Sequence, residues 1–553
     1  MVPHLHPDTD SPLSVLSVSE STPRRPQLPE DVIMRVFQCY RLDSVHGVNW
    51  NLERWWHKLT HVCRTWRDLI LSCPSHLDLH LVCTYGTPII DMLTISRPFR
   101  LIINYSNQNA EITAEDGEGL LFALRHRKRV GRISLTTSNT NCNRVLAAMN
   151  GDFPELRHLR IIYGVNNNPL STFPATFRAP HLTSLTLIGP AHPTGAPLSI
   201  TSITAIHLVH LKIGDILPSP NFHPEYLVAQ LSSMPLLATV SLGFRLPIPN
   251  RVIKEQLLNL PTTRITLSHL TKFIFQGVSP FLEGLLARIS APLLGKFDIT
   301  FSNQLTFSLP HLSRFISTTP RLKLPVARVH FKKNSLSIIV DSNGLHRRPG
   351  CLRINVGCQY HGWQVDTAAQ ICNATAPVLS VAQELTLCFR KHGISSNDVN
   401  LTQWHDLLRP LTRVEVLRVH PRLVRELSRA LQLHDGKCPE DILPQLYELV
   451  LPSRTNNGEA IVASLNSGRT ADRLIRLRLS GRRIEKWLSR SSTYAAPKMT
   501  LISPLVDTSH TSRNSRTAAD ICDRHQTCLI PEHRYSSAHT GPEGRHQSNH
   551  SPL

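Results

Sequence analysis

The apolar positions of this chain follow two rhythms, a helical one near the N-terminus and a longer strand-and-turn one after it. In LPEDVIMRVFQCY (28–40), Val32, Ile33, Val36, Phe37 and Tyr40 recur at helical spacing and give one apolar face. Pro29 suits a first-turn position, where its missing N–H costs nothing, and Glu30 and Asp31 suit the positive end of the helix dipole. A second stretch, WHKLTHVCRTWRDLIL (56–71), puts Leu59, Val62, Cys63, Trp66, Leu69 and Ile70 on one side. Four of the seven tryptophans, Trp50, Trp55, Trp56 and Trp66, fall between residues 28 and 75. A helical unit this small has little core of its own and gains from burying its apolar face on a partner.

After it comes a repeated unit, P-x-L-x-x-h-x-h, with h apolar. It begins at Pro154, Pro180, Pro235, Pro292 and Pro444. A looser h-x-x-h-x-h starts at Val130, Leu208, Leu270, Val326, Cys351, Ala382, Val414 and Leu474. At 41% hydrophobic residues the loose form arises by chance about once in fifteen positions, whereas the proline form is far rarer. The thirteen starts step by about 29 residues on average, and L-x-x-L-x-L at that period is similar to the leucine-rich-repeat signature of one short strand followed by a helix or turn. Where that family carries Asn or Cys three residues after the last leucine, this chain has Gly164, Pro190 and Arg245. No asparagine ladder is expected, so the repeats should be irregular.

Composition adjusts this picture at its ends. Residues 1–26 and 490–553 are rich in polar residues, lack apolar periodicity and read as disordered, leaving 27–75 as the helical unit and 76–489 as the repeat array. No run approaches the roughly 20 apolar residues of a membrane span, and the N-terminus has no continuous apolar run. The twelve cysteines are scattered without a CxxC pair. The chain thus reads as soluble and intracellular, in the cytoplasm or the nucleus, its cysteines small hydrophobes. Of the net charge of +20, +18 lies between residues 76 and 489, so it belongs to the repeats and not to a basic tail.

Catalytic chemistry finds no foothold. There is no phosphate loop, G-x-S-x-G elbow, H-E-x-x-H or kinase set, so no catalytic residue is assigned and no enzyme is expected. Cys522, His525, Cys528 and His533 have spacings zinc could use but no scaffold beside them; Cys351, Cys358 and His361 are only three; neither is assigned as a metal site, and no cofactor is expected. The basic run Arg125-His126-Arg127-Lys128-Arg129 reads as a solvated edge before the Val130 strand, with nuclear import or phosphate binding as the alternative. The cluster Arg473, Arg476, Arg478, Arg482 and Arg483 offers a second anion site.

The ordered set L-P-E-D-V-I-x-x-V-F, then V-C-R-T-W-R-D-L-I, resembles an F-box, and SCPSHLDLHLVCTYGTPIIDML after it is similar to the corresponding segment of basidiomycete fungal F-box proteins; the likeness covers about residues 28–103. It implies a small helical F-box ahead of an irregular leucine-rich-repeat-like α/β solenoid. It also implies docking of a Skp-type adaptor, and through it a cullin–RING ubiquitin ligase. Carried over by motif, Leu28, Pro29, Val32, Ile33, Val36, Phe37, Val62, Cys63, Trp66 and Leu69 would touch or support that adaptor. In such an array the residues between the leucines line a concave face, here Arg157, His158 and Arg160; Thr183, Ser184 and Thr186; Lys296 and Asp298; Glu415 and Arg418; Arg476 and Arg478. Arg157, Arg160, Lys296, Arg418, Arg476 and Arg478 would then hold an acidic or phosphorylated protein target. The rivals are a basic nucleic-acid-binding or nuclear scaffold, which the location of the charge makes the weaker reading, and an F-box protein acting without ubiquitylation.

Overall fold

The computed structural model describes residues 28–45, 55–74, 77–95, 99–106, 112–137, 139–163, 176–189, 206–216, 223–244, 264–302, 304, 306–342, 350–358, 360–389, 401–432, 442–452, 475–480 and 485–487. The chain divides into Met1–Arg490 and Ser491–Leu553, and every described residue lies in the first. The cysteine–histidine cluster of the tail and Arg473, Arg482 and Arg483 lie outside the described residues.

The N-terminal segment forms three helices, α1 (Glu30–Val45), α2 (Trp55–Thr60) and α3 (Arg64–Ser72). The carbonyl of Pro29 accepts the first helical bond from Ile33 N–H at 3.1 Å, so Pro29 precedes the first turn by one position instead of occupying it. Cys63 caps α3, its Sγ accepting from Trp66 N–H at 3.4 Å, and Arg67 Nε donates to Thr60 O at 2.9 Å, fastening α3 to the end of α2. Ile33, Phe37, Trp56, Leu59 and Ile70 are buried, and the core they enter runs without a break into the strands beyond residue 75. Trp56 meets Phe99 at 5.7 Å between ring centroids.

Strands follow at short intervals: β1 (His80–Cys83), β2 (Arg100–Tyr105), β3 (Val130–Thr137), β4 (His158–Tyr163), β5 (Ser184–Ile188), β6 (His210–Ile216) and β7 (Thr239–Phe244). Next come β8 (Ile265–Thr266), β9 (Lys272–Gly277), β10 (Ile289–Ser290), β11 (Lys296–Phe301), β12 (Val326–Phe331) and β13 (Ser335–Asp341). The last are β14 (Cys351–Gly357), β15 (Glu384–Phe389), β16 (Val416–Val419), β17 (Glu448–Pro452), β18 (Arg476–Ser480) and β19 (Glu485–Trp487). Apart from the short β8–β10 pair, the described strands form one 17-stranded sheet.

Neighbours from β1 to β7, and on to β9 and β11, pair in parallel. Their leucine positions fall in register: Ile133, Leu159, Leu185, Leu211, Val240, Phe273 and Phe297 form one row, and Leu135, Ile161, Leu187, Ile213, Leu242, Phe275 and Ile299 the next. Both rows are buried. Period-two side-chain alternation leaves the residues between them on the opposite face. The architecture is therefore mixed α/β, dominated by a long parallel sheet.

One stretch departs from the expected progression. After β11 the chain skips two strand positions, lays down β12, returns antiparallel as β13, and places β14 parallel to β11 in the gap; β15 then continues beside β12. The starts Val326 and Cys351 are therefore not successive repeats. Their register is also displaced by two residues: Ile354 aligns with Ile299, and Val329 with Leu387.

Polar side chains tie one unit to the next. Buried Glu283, from the helix Ser279–Leu286, accepts the N–H groups of His311 at 2.7 Å and Leu312 at 2.9 Å, capping the helix Pro310–Ser317, whose own N-cap residue Leu309 offers no side-chain bond. Arg288, also buried, pairs with Glu225 at 2.7 Å and donates to Gly284 O at 2.9 Å. Gln364 bridges the insert, donating to Lys332 O and Cys358 O at 2.9 and 2.7 Å.

Candidate functional site

Two surfaces collect the residues that the sequence singles out. On the first, the single apolar face expected for residues 28–40 resolves into two. Ile33 and Phe37 turn inward, Phe37 meeting Trp66 edge-on at 5.0 Å, with Trp66 and Leu69 partly buried against the core. Leu28 (57% exposed), Val32 (40%) and Val36 (43%) recur every four residues on the other side, and Val62 is 57% exposed. Pro29 and Cys63 are exposed as well. Of the ten residues assigned to adaptor docking, Ile33 and Phe37 thus support from below, and Leu28, Pro29, Val32, Val36 and Val62 are offered to solvent. About half of each of the Leu28, Val32, Val36 and Val62 side chains is already covered, so burial of the remainder by a partner would contribute roughly 1 kcal/mol apiece.

The second surface is the outer face of the sheet, away from the leucine rows. It holds Arg157, Arg160, Lys296, Arg418, Arg476 and Arg478, all half-exposed or exposed. Electrostatically it has two halves. From β11 to β18 acids stand against cations: Lys296 pairs with Asp298 at 3.5 Å, Arg328 with Asp341, Arg418 with Glu384 at 2.7 Å, and Arg478 with Glu448 at 3.3 Å. Lys296, Arg418 and Arg478 therefore each have an acid of this chain within ion-pairing distance while remaining partly exposed.

From β3 to β9 cations stand beside hydroxyls and beside one another. His158 stands in register with Arg132, Lys212 with Thr186, and Lys272 with Thr239; Arg160 and Lys212 flank Thr186 from either side. Among the described residues no acid forms an ion pair with Arg157, Arg160, Lys212 or Lys272. The one acid on these strands is Asp215, at a bulge where β6 slips against β7 and at a positive φ of 55° that aspartate tolerates. Burial pushes the His158 imidazole below its ordinary value, and Arg132, Arg157 and His210 push it further. Burial does the same to Lys212, with Arg160 and Lys272 adding to it and Asp215 opposing. Like charge accumulates here.

The basic run 125–129 lies at the turn before β3, with Arg125 and Lys128 exposed. It ends the helix Ala114–Arg125 and makes one 3-10 turn, with Arg129 Nε donating to Phe99 O at 2.9 Å. Among the described residues no group of three or more His, Cys, Asp or Glu could hold a metal ion. Nor is any described helix long and apolar enough to cross a membrane. Sequence reasoning missed β1, β2 and β13, and it missed Lys212 and Lys272 as members of the basic face. Both lysines lie between the h positions of their repeats, so the pattern that found Arg160 reaches them too.

No family description matches this chain, and no curated protein matches it. Among solved structures, the crystal structure of the leucine-rich repeat-containing protein LegL7 from Legionella pneumophila is similar over 72% of this chain and 100% of its own, at 14% identity and a TM-score of 0.21, a likeness too low to carry an argument.

Proposed function

We propose that this chain is an F-box substrate receptor of the kind found among fungal F-box proteins. Its α1–α3 segment docks a Skp-type adaptor, and its sheet face holds a protein target. The adaptor links the receptor to a cullin–RING ligase, in the cytoplasm or nucleus, and the ubiquitin-transfer chemistry belongs to those partners. The observation that carries the reading is the pair of exposed apolar residues Val32 and Val36 on α1, continued by Leu28 just before it, on a helix whose opposite side is already packed. A stripe of this kind, within the segment that resembles an F-box, fits a helical partner surface.

Co-expression with a Skp-type adaptor tests it. Val32→Asp with Val36→Asp should abolish adaptor capture while the melting temperature stays within a few degrees, and Leu28→Ala with Pro29→Ala should do the same. Undiminished capture by both double variants would sink the assignment. Cullin recruitment separates a ligase receptor from an F-box protein acting without ubiquitylation. The crowding of Arg160, Lys212 and Lys272 on one face favours one rival, a nucleic-acid scaffold, which nuclease treatment of the captured complex would expose.

A further inference from the structure

The outward side chains of β4–β9 alternate strand by strand between long cations and short hydroxyls. Strand β4 presents His158 and Arg160, β6 presents His210 and Lys212, and β9 presents Lys272 followed by Ile274; the strands between offer Ser184 and Thr186 followed by Ile188 on β5, and Thr239 and Ser241 on β7. Each hydroxyl strand is therefore the floor of a slot with basic walls. Adjacent strands lie about 4.8 Å apart, so each slot spans about 10 Å between its walls, and the two floors are also about 10 Å apart. A tetrahedral oxyanion needs both cationic charge and hydroxyl donors within reach, and each slot supplies them.

We propose that these two slots bind a pair of phosphoryl groups on an extended peptide laid across the strands, about three residues apart in its sequence. This rests on the sheet face being the target-binding surface, and it narrows the target to a doubly phosphorylated segment. The spacing follows from the slots, since a peptide in the extended polyproline II form advances about 3.1 Å per residue and returns to the same side every third residue, which covers the separation. Charge complementarity selects the occupant: phosphoserine brings close to two negative charges to a face whose cations repel one another. Single-stranded nucleic acid is a poorer fit, because no Phe, Tyr or Trp stands at an outward position of β3–β9 to stack a base. The compensated half from β11 onward serves as the internal control.

The test uses the full chain and fluorescence anisotropy with labelled peptide pools. Each pool carries two phosphoserines separated by two randomised residues, with randomised flanks. Comparison pools carry one phosphoserine, two adjacent phosphoserines, or four aspartates, and a single-stranded oligonucleotide is matched for charge. The doubly phosphorylated pool with the three-residue step should bind at least tenfold more tightly than every comparison. Arg160→Gln with Lys212→Gln should remove that advantage, whereas Arg328→Gln, at a cation paired with Asp341, should change it less than twofold. Equal binding by the aspartate pool or the oligonucleotide, or no binding by any pool, would overturn the proposal. Capture of cellular proteins by the same variants separates the two levels. If Arg160→Gln with Lys212→Gln loses its captured proteins but no phosphopeptide binds, the target face stands and the phosphate inference falls; if capture is unchanged, the target face itself is wrong.

Discussion

Glu283 shows how far a single side chain can reach in this array. Its carboxylate is buried, and burial raises its affinity for a proton, yet the N–H groups of His311 and Leu312 hold it toward the charged form. A carboxylate at a helix N-terminus also complements the dipole, so the helix Pro310–Ser317 receives from its predecessor the cap that Leu309 cannot give. Glu283→Ala removes both acceptors and leaves two N–H groups without them, at a cost of about 1–3 kcal/mol. Glu283→Gln keeps one acceptor but turns an amide donor toward those N–H groups, so it should recover only part of the loss. Urea unfolding midpoints check both. If the Ala variant were as stable as the parent, the cap would be ornamental.

At the scale of elements, the fold was legible wherever a repeat follows its neighbour. The proline units at 154, 180, 235 and 292 place Leu159, Leu185, Val240 and Phe297 in one buried row, as their spacing requires. The reversed insert was not legible, because β12, β13 and β14 alternate apolar and polar residues just as repeat strands do, and alternation carries no strand direction. The two faces of α1 were hidden for a similar reason, since Val32 and Val36 are as apolar as Ile33 and Phe37. For the sheet face, the sequence showed that the cations point outward but not that Lys296, Arg418 and Arg478 meet acids from their own or adjacent strands.

The insert makes a prediction of its own. Gly350 enters β14 with Arg321 O only 2.5 Å from where a Cβ would stand and Leu324 Cδ2 at 2.8 Å, so the segment before β12 presses on the start of β14. Gly350→Ala must push that backbone aside, at about 1–3 kcal/mol. Thermal melting should register the loss, and a neutral Gly350→Ala would mean that the two segments do not close on each other.

Across the whole molecule the same positive charge that shapes the sheet face should make folding sensitive to acid. Histidines 126, 158, 311 and 420 are all held below their ordinary value of 6.5, in each case by burial first and then by neighbouring cations: Arg129 for His126; Arg132, Arg157 and His210 for His158; Arg314 and Arg288 for His311; Arg422 for His420. A histidine lowered in the folded chain takes its proton more readily once unfolded. Its contribution is therefore complete above the unfolded value and is lost as pH falls through it toward the folded one. Glu283, raised from 4.5, works in the opposite sense, but nearer the carboxylate range. The melting temperature should consequently drop as pH falls from about 7.5 to about 6, a window in which histidines dominate the titration. Added salt should restore part of the drop, because screening weakens the repulsion by arginines but leaves the cost of burial in place. His158→Gln should flatten the profile in proportion to its share. A melting temperature that held steady or rose across this window would show that the folded chain accommodates these protons, and that the cations around them are better solvated than their crowding on one face implies.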